Sequence, residues 1–219
     1  MSDDYKTVGG HKVKAKKTDL EKRLTDEEVE ILLSSITWDT HKSFWKRNKA
    51  VVQFLLHTAL RIGEVANLKL SDVLQIDGKV KTMLDVRAAI AKRQKARHVP
   101  LNKKAQEAIK ILVEERPEAY MDSALVVKKN GNPLSRRALQ GIVTTSGLKA
   151  GLNRLIGPHT LRHTCLSGLY EKTKNIKVVQ TIAGHSKAQL TIDLYTHATM
   201  EGLSKAMDTL DDEDSEDGN

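Results

Sequence analysis

The apolar spacing of this chain changes character once, and that change limits what it can fold into. Apolar residues recur at helical intervals up to Leu68 and again from Lys103 onward. In between, residues 74–76, an Asp77-Gly78 turn, residues 80–86 and residues 97–101 read as strands of a small hairpin-built sheet. One brief strand region inside a helical sequence predicts an α+β domain, mainly α-helical. At 219 residues the chain is long enough to bury a proper core.

The punctuation supports this outline. Thr25-Asp-Glu-Glu28 is a capping box, and Val29, Leu32, Leu33 and Ile36 after it share one helical face. A second helix is expected over 42–60, with Val51, Phe54 and Leu55 in the core, and a short one over 63–68. Further helices are expected over 103–115, from a Ser135 cap to about Gly147, and over 159–172, 176–183 and 188–207. A short strand over 124–127 leads into an Asn130-Gly-Asn-Pro133 turn, and Gly184 stands where a C-terminal glycine cap belongs. Residues 1–20 read as a flexible basic arm, 21–207 as the domain, and 208–219 as an acidic disordered tail.

Charge narrows the partners. The tail holds seven acids and no Lys or Arg; without it 36 basic residues face 21 acidic ones, a net +15. A body this basic suits a polyanion, nucleic acid first. No apolar run approaches the roughly 20 residues that span a bilayer. The polar, lysine-bearing start does not read as a secretory signal. The single cysteine, Cys165, excludes an intramolecular disulfide and a cysteine-rich metal site, and a reducing cytoplasm is the default. No phosphate-binding P-loop or dinucleotide fingerprint occurs.

Four short stretches carry possible chemistry. Arg61, in Thr58-Ala-Leu-Arg-Ile-Gly-Glu64, falls at a helix-to-helix junction, where its fork either points into a cleft or lies on the surface. In His159-Thr-Leu-Arg-His163, His159 and Arg162 share a face near a helix start, an anion-favouring end. His159 and His163 also have metal-ligand spacing, but Arg162 would crowd a cation and no third ligand stands nearby. The last two stretches are Ala183-Gly-His-Ser186 and Leu194-Tyr-Thr-His197. Alone, Tyr195 reads as a packing residue.

Arginine, then His-x-x-Arg, then Gly-His, then Tyr, in this order, resembles the tyrosine recombinases, including the Xer, Cre and lambda-type integrase groups. The resemblance covers about residues 24–207. Residues 130–136 and 159–165 look especially similar to the short fimbrial phase-switch invertases. The resemblance implies the recombinase catalytic-domain fold with a small three-stranded antiparallel sheet. It implies Arg61, Lys92, His159, Arg162, His185 and Tyr195 as the catalytic set, with Glu64 in support. Lys92 precedes the Arg97-His-Val-Pro-Leu101 strand at the family's offset, but Arg93 and Gln94 follow where glycine is common, so Lys95 remains a second choice.

What is implied is site-specific cleavage and rejoining of DNA through a covalent 3′-phosphotyrosine, without ATP, metal or other cofactor. Arginine forks bind phosphate oxygens and stay charged, histidines add hydrogen bonds, and Lys92 protonates the leaving 5′-hydroxyl. Double-stranded DNA is the expected partner, with Lys46, Arg47, Arg93, Lys95, Arg97, Arg136 and Arg137 as candidate backbone contacts. A homo-tetramer on synapsed DNA is implied, and the location is cytoplasmic, at the nucleoid. Only about 20 residues precede the capping box, where most members carry a DNA-clamping domain. The chain is therefore either naturally short or a fragment, and an accessory DNA-binding protein is a possible partner. The competing readings are a type IB topoisomerase and a non-enzymatic DNA-binding regulator on the same fold.

Overall fold

The computed structural model describes residues 5–8, 11–14, 23–91, 94–116 and 120–184. Its core is organised by one helix. Taking the helices in chain order, α1 is Asp26–Ser34, α2 Trp38–His41, α3 Trp45–Thr58, α4 Ile62–Val65 and α5 Leu70–Val73. They continue with α6 Lys103–Glu114, α7 Arg136–Lys149, α8 Pro158–Thr173 and α9 Ile176–Ala183. Helix α3 is the hub, packing against α1, α6, α7 and α8. Val51, Val52, Phe54 and Leu55 of α3 have no solvent exposure, so apolar side chains cover it nearly all round. A helix apolar on most of its circumference belongs in the interior. By contrast, α6 buries only Ala105, Ala108, Ile109 and Leu112, a single stripe at helical spacing, and lays it on α3.

Local signals set most helix ends. Thr25 and Glu28 exchange the two hydrogen bonds of the capping box, at 3.2 and 2.9 Å. Ser135 Oγ accepts from the Ala138 amide at 3.2 Å and starts α7. Gly184 closes α9 with a left-handed φ of +61°. The expected 42–60 helix starts later than expected. The chain makes α2, then a 3-10 turn over Lys42–Phe44, and only then α3. One medium-range and one long-range contact hold this break: His41 Nδ1 meets Asn48 Nδ2 at 3.1 Å, and Lys149 donates to Thr40 O.

The sheet is small and antiparallel. β3 (Met83–Val86) pairs with β4 (Arg97–Pro100), in the register Leu84–Val99 and Val86–Arg97. The first strand of the expected three is present as one bridge, Leu74–Val80. Residues 124–127 likewise form isolated bridges, Lys69–Ala124 and Val127–Pro133. Within the stretch expected to be an arm, β1 (Tyr5–Val8) and β2 (His11–Lys14) pair as an antiparallel hairpin. The architecture is therefore a mainly helical α+β domain with a small antiparallel sheet. Among the described residues no helix is long and apolar enough to cross a membrane. Lys92, Arg93, His185, Tyr195, the expected 188–207 helix and the expected acidic tail lie outside the described residues.

Candidate active site

The end of α3 begins the site. Ala59 takes a left-handed φ of +52° while fully buried, which stops the helix and turns the chain into Leu60 and Arg61. A non-glycine residue there costs about 1–2 kcal/mol, so surrounding contacts must hold it. One such contact comes from Arg162, whose Nη1 donates to Ala59 O.

Arg61 precedes α4, and Glu64 sits in that helix's first turn. Glu64 Oε2 accepts the Arg61 amide at 2.8 Å, and Oε1 accepts Arg61 Nη1 at 3.2 Å. Arg97 reaches over from β4 and binds the same carboxylate with both ends of its fork, at 2.9 and 2.8 Å. Glu64 is only 2% exposed. Burial alone would raise its pKa, but the Arg97 hydrogen bonds, the Arg61 amide and the two guanidinium charges outweigh burial and lower it. Glu64 is thus an anion at neutral pH that orients two cations.

Helix α8 supplies the opposite wall. Pro158 opens it with its φ pre-set, and Gly157 N bonds Thr160 Oγ1 at 3.3 Å. His159 falls in the first turn and is exposed, and Arg162 follows one turn later. Arg162 is buried, with Nη2 donating to Ala183 O at 2.7 Å. Burial, together with the nearby Arg61 charge, lowers its pKa to about 10, so it stays charged at neutral pH. Burial also pushes the neighbouring Cys165 thiol up to about 11, against the lowering effects of its Ala59 backbone hydrogen bond and the Arg162 charge, which keeps it protonated and unreactive.

These side chains meet in one cleft of about 630 Å³. Arg61, Glu64, His159 and Arg162 line it, with Arg136 and Gln140 from α7. Glu64, the one acid among these lining residues, is already neutralised, so the cleft is cationic. The guanidiniums of Arg61, Arg136 and Arg162 make it a site for a phosphate-like anion. Arg136, expected on DNA, therefore shares a cavity with the catalytic candidates. Gln140 was not expected there, although its i,i+4 spacing from Arg136 on the polar side of α7 carries the signal. A shallower depression continues along the same helix past Arg137, Thr144 and Thr145.

Two of the expected DNA contacts have partners within the domain. Arg97 is turned inward, with a side chain 9% exposed and its nitrogens bonded to Glu64 and Ile182 O. Residues 97, 99 and 101 share one side of the strand, and Val99 and Leu101 are core, so strand parity points Arg97 inward. Arg47 is half-buried: it stacks over Phe44, 4.5 Å from the ring centre, and donates to Asn48 Oδ1 and Val127 O. Lys46 is exposed and paired with Glu115 at 3.1 Å. Lys95, Arg136 and Arg137 are exposed.

The chain is similar to known proteins over most of its length. The phage integrase family matches residues 22–202. The tyrosine recombinase XerD of Corynebacterium glutamicum is 34% identical over 184 residues, 82% of this chain and 58% of that protein. XerC of Haemophilus influenzae is 32% identical over 190 residues, 86% of this chain and 61% of that protein. Among solved structures, the XerH recombinase bound to palindromic difH substrate aligns with a TM-score of 0.67 at 26% identity, over 91% of this chain and 55% of that one. The XerA recombinase aligns at 0.68 and 24% identity, over 84% and 64%, a likeness of fold. The chain spans about three fifths of the length of these curated relatives. On the match over residues 22–202 and these relatives, the chain belongs to the phage integrase family.

Proposed function

We propose that this chain is a site-specific DNA recombinase that cuts and rejoins strands through a covalent 3′-phosphotyrosine at Tyr195. One observation carries the reading. Arg61 lines one cationic cleft with His159 and Arg162, which lie far from it in sequence, and Glu64 holds Arg61 in place.

The chemistry follows from the charge. Tyr195 Oη attacks the phosphorus of a DNA phosphodiester, the P–O5′ bond breaks, and the 5′-oxygen leaves with a proton from Lys92. A phenol with a pKa of about 10 is a weak nucleophile at neutral pH, and nearby cations favour its deprotonation. Arg61 and Arg162 stabilise charge on the non-bridging oxygens, with His159 and His185 as further donors. The phosphotyrosine keeps the energy of the broken bond. A 5′-hydroxyl from another strand then displaces Tyr195 and reseals the backbone without ATP.

Double-stranded DNA is the proposed substrate, lying over the cleft and along α7, whose exposed face offers Arg136, Arg137, Gln140 and Thr144. Guanidinium, amide and hydroxyl groups on one helix face suit phosphates and base edges alike. Exchange of strands between two duplexes implies a tetramer at synapsis, and an accessory DNA-binding protein would help locate the site. Such a protein works at the cytoplasmic nucleoid. The likeness of residues 130–136 and 159–165 to the fimbrial phase-switch invertases supports a place near that group.

The test is covalent capture on a pool of nicked duplexes of random sequence, in which the cleaved end diffuses away. Wild type is expected to yield a protein–DNA adduct, and sequencing the captured DNA gives the site. No adduct would favour the non-enzymatic regulator. Relaxation of supercoiled plasmid lacking that site would favour a type IB topoisomerase.

A further inference from the structure

Helix α9 ends against two guanidiniums. Arg97 Nε donates to Ile182 O at 3.1 Å, and Arg162 Nη2 donates to Ala183 O at 2.7 Å. The last turn of a helix leaves carbonyls without intrahelical partners and carries partial negative charge, so cations suit this end. The remaining two nitrogens of Arg97 hold both oxygens of Glu64. One side chain thus ties β4 to positions 33 and 85 residues away in sequence. Gly184 makes room for it. At φ +61° it adopts a turn L-residues avoid, and a Cβ there would lie 3.1 Å from Arg97 Cδ and Nε. The next residue in the chain is His185.

This clasp bears on Arg61. With Arg97 on both oxygens and the Arg61 amide on Oε2, the Arg61 guanidinium makes one 3.2 Å bond to the carboxylate. Arg61 itself lines the cleft. A carboxylate without Arg97 would favour a two-bond fork with Arg61, the preferred geometry for such pairs. That would draw the guanidinium away from a phosphate.

We propose that Arg97 is a positioning residue for strand cleavage. It occupies Glu64 so that Arg61 stays turned to the cleft, and it fixes the end of α9 from which the chain enters His185. The proposal rests on the recombinase reading above and adds a residue that touches neither DNA nor the reacting atoms.

The test uses the full chain as wild type, Arg97→Lys and Arg97→Gln. The probe is a nicked duplex carrying the sequence recovered from wild-type adducts. Lysine keeps the charge but offers one nitrogen where arginine offers a fork of three. Three quantities are measured: adduct formation rate at saturating DNA, Kd across a salt series, and thermal melting. The rate at saturation is expected to fall about 100-fold in Arg97→Lys, the scale of a small misplacement of a reacting group. Kd and its salt slope stay at the wild-type values, and both variants remain folded at the assay temperature. An unchanged saturated rate per folded molecule overturns the proposal, even with a lowered Tm. So does a loss confined to Kd with a shallower salt slope, which marks a phosphate contact. If wild type forms no adduct, strand cleavage itself falls and the positioning role with it. Adducts at the wild-type rate in all three proteins would remove only the role of Arg97.

Discussion

Arg97 grips both carboxylate oxygens of Glu64, at 2.9 and 2.8 Å, across 33 residues of sequence and inside the wall of the cleft. A charge at 2% exposure persists only when paired and bonded, and Glu64 is both. Replacing it by Gln leaves two guanidiniums facing each other without their shared anion. Glu64→Gln is expected to cost about 3–5 kcal/mol in chemical denaturation at neutral pH, the usual penalty for breaking a buried pair.

The same pair sets a pH dependence. Glu64 is held below the ordinary carboxylate value of 4.5. Its contribution is therefore complete above 4.5 and is lost as pH falls below that through the folded-state value. Melting temperature followed from neutral to strongly acidic pH should show a steeper acid limb for wild type than for Glu64→Gln. Parallel limbs would contradict the assignment.

His57 predicts a second, milder dependence. Its Nδ1 lies 3.2 Å from Asn102 Nδ2, whose amide oxygen is already engaged by the Ala105 amide, so the ring accepts and is neutral. Burial lowers its pKa first, Lys104 and Lys172 add to this, and Glu107 opposes it. A histidine lowered on folding contributes fully above its unfolded value of 6.5 and loses stability as pH falls below it. Between pH 7.5 and 5.5, wild type should lose more stability than His57→Gln.

Gly147 offers a test of packing. A Cβ there would sit 2.7 Å from Cβ and 2.9 Å from Cγ1 of Ile156, a core residue. Alanine raises helix propensity by about 1 kcal/mol over glycine, which alone would stabilise α7. Overpacking a rigid core costs about 1–3 kcal/mol and wins here because backbone-anchored atoms must move. Gly147→Ala should lower stability in urea titration; a stabilised variant would show that α7 and Ile156 separate easily.

Legibility in the sequence followed the range of the interaction. The Thr25–Glu28 box, the Ser135 cap and the Gly184 cap rest on contacts within a few residues, and α9 ran over the residues expected. The break before α3 rests on Asn48 and Lys149, one far along the chain, and local spacing could not show it. The catalytic candidates Arg61, His159 and Arg162 were legible through their motifs, and the cleft brings them together. The inward turn of Arg97 was hidden because a basic residue beside Lys92–Lys95 reads as one more surface cation. Its partner Glu64 is known only once the fold brings the two side chains together.

Arg136 connects the cleft to the DNA face. It lines the cleft at the exposed start of α7, where a lost cation would be felt by a phosphate. Arg136→Ala should weaken DNA binding and reduce the salt slope by about 1, as expected for one lost phosphate contact. An unchanged slope in fluorescence anisotropy across a salt series would move Arg136 off the DNA.

The central claim concerns one atom, the phenolic oxygen of Tyr195. Mass spectrometry of the protease-digested adduct from wild type on a nicked duplex reads it directly. The expected result is a nucleotide remnant on the peptide bearing Tyr195, joined as a 3′-phosphotyrosine, and no adduct from Tyr195→Phe. A remnant on any other residue, or an adduct that survives in Tyr195→Phe, would contradict the account.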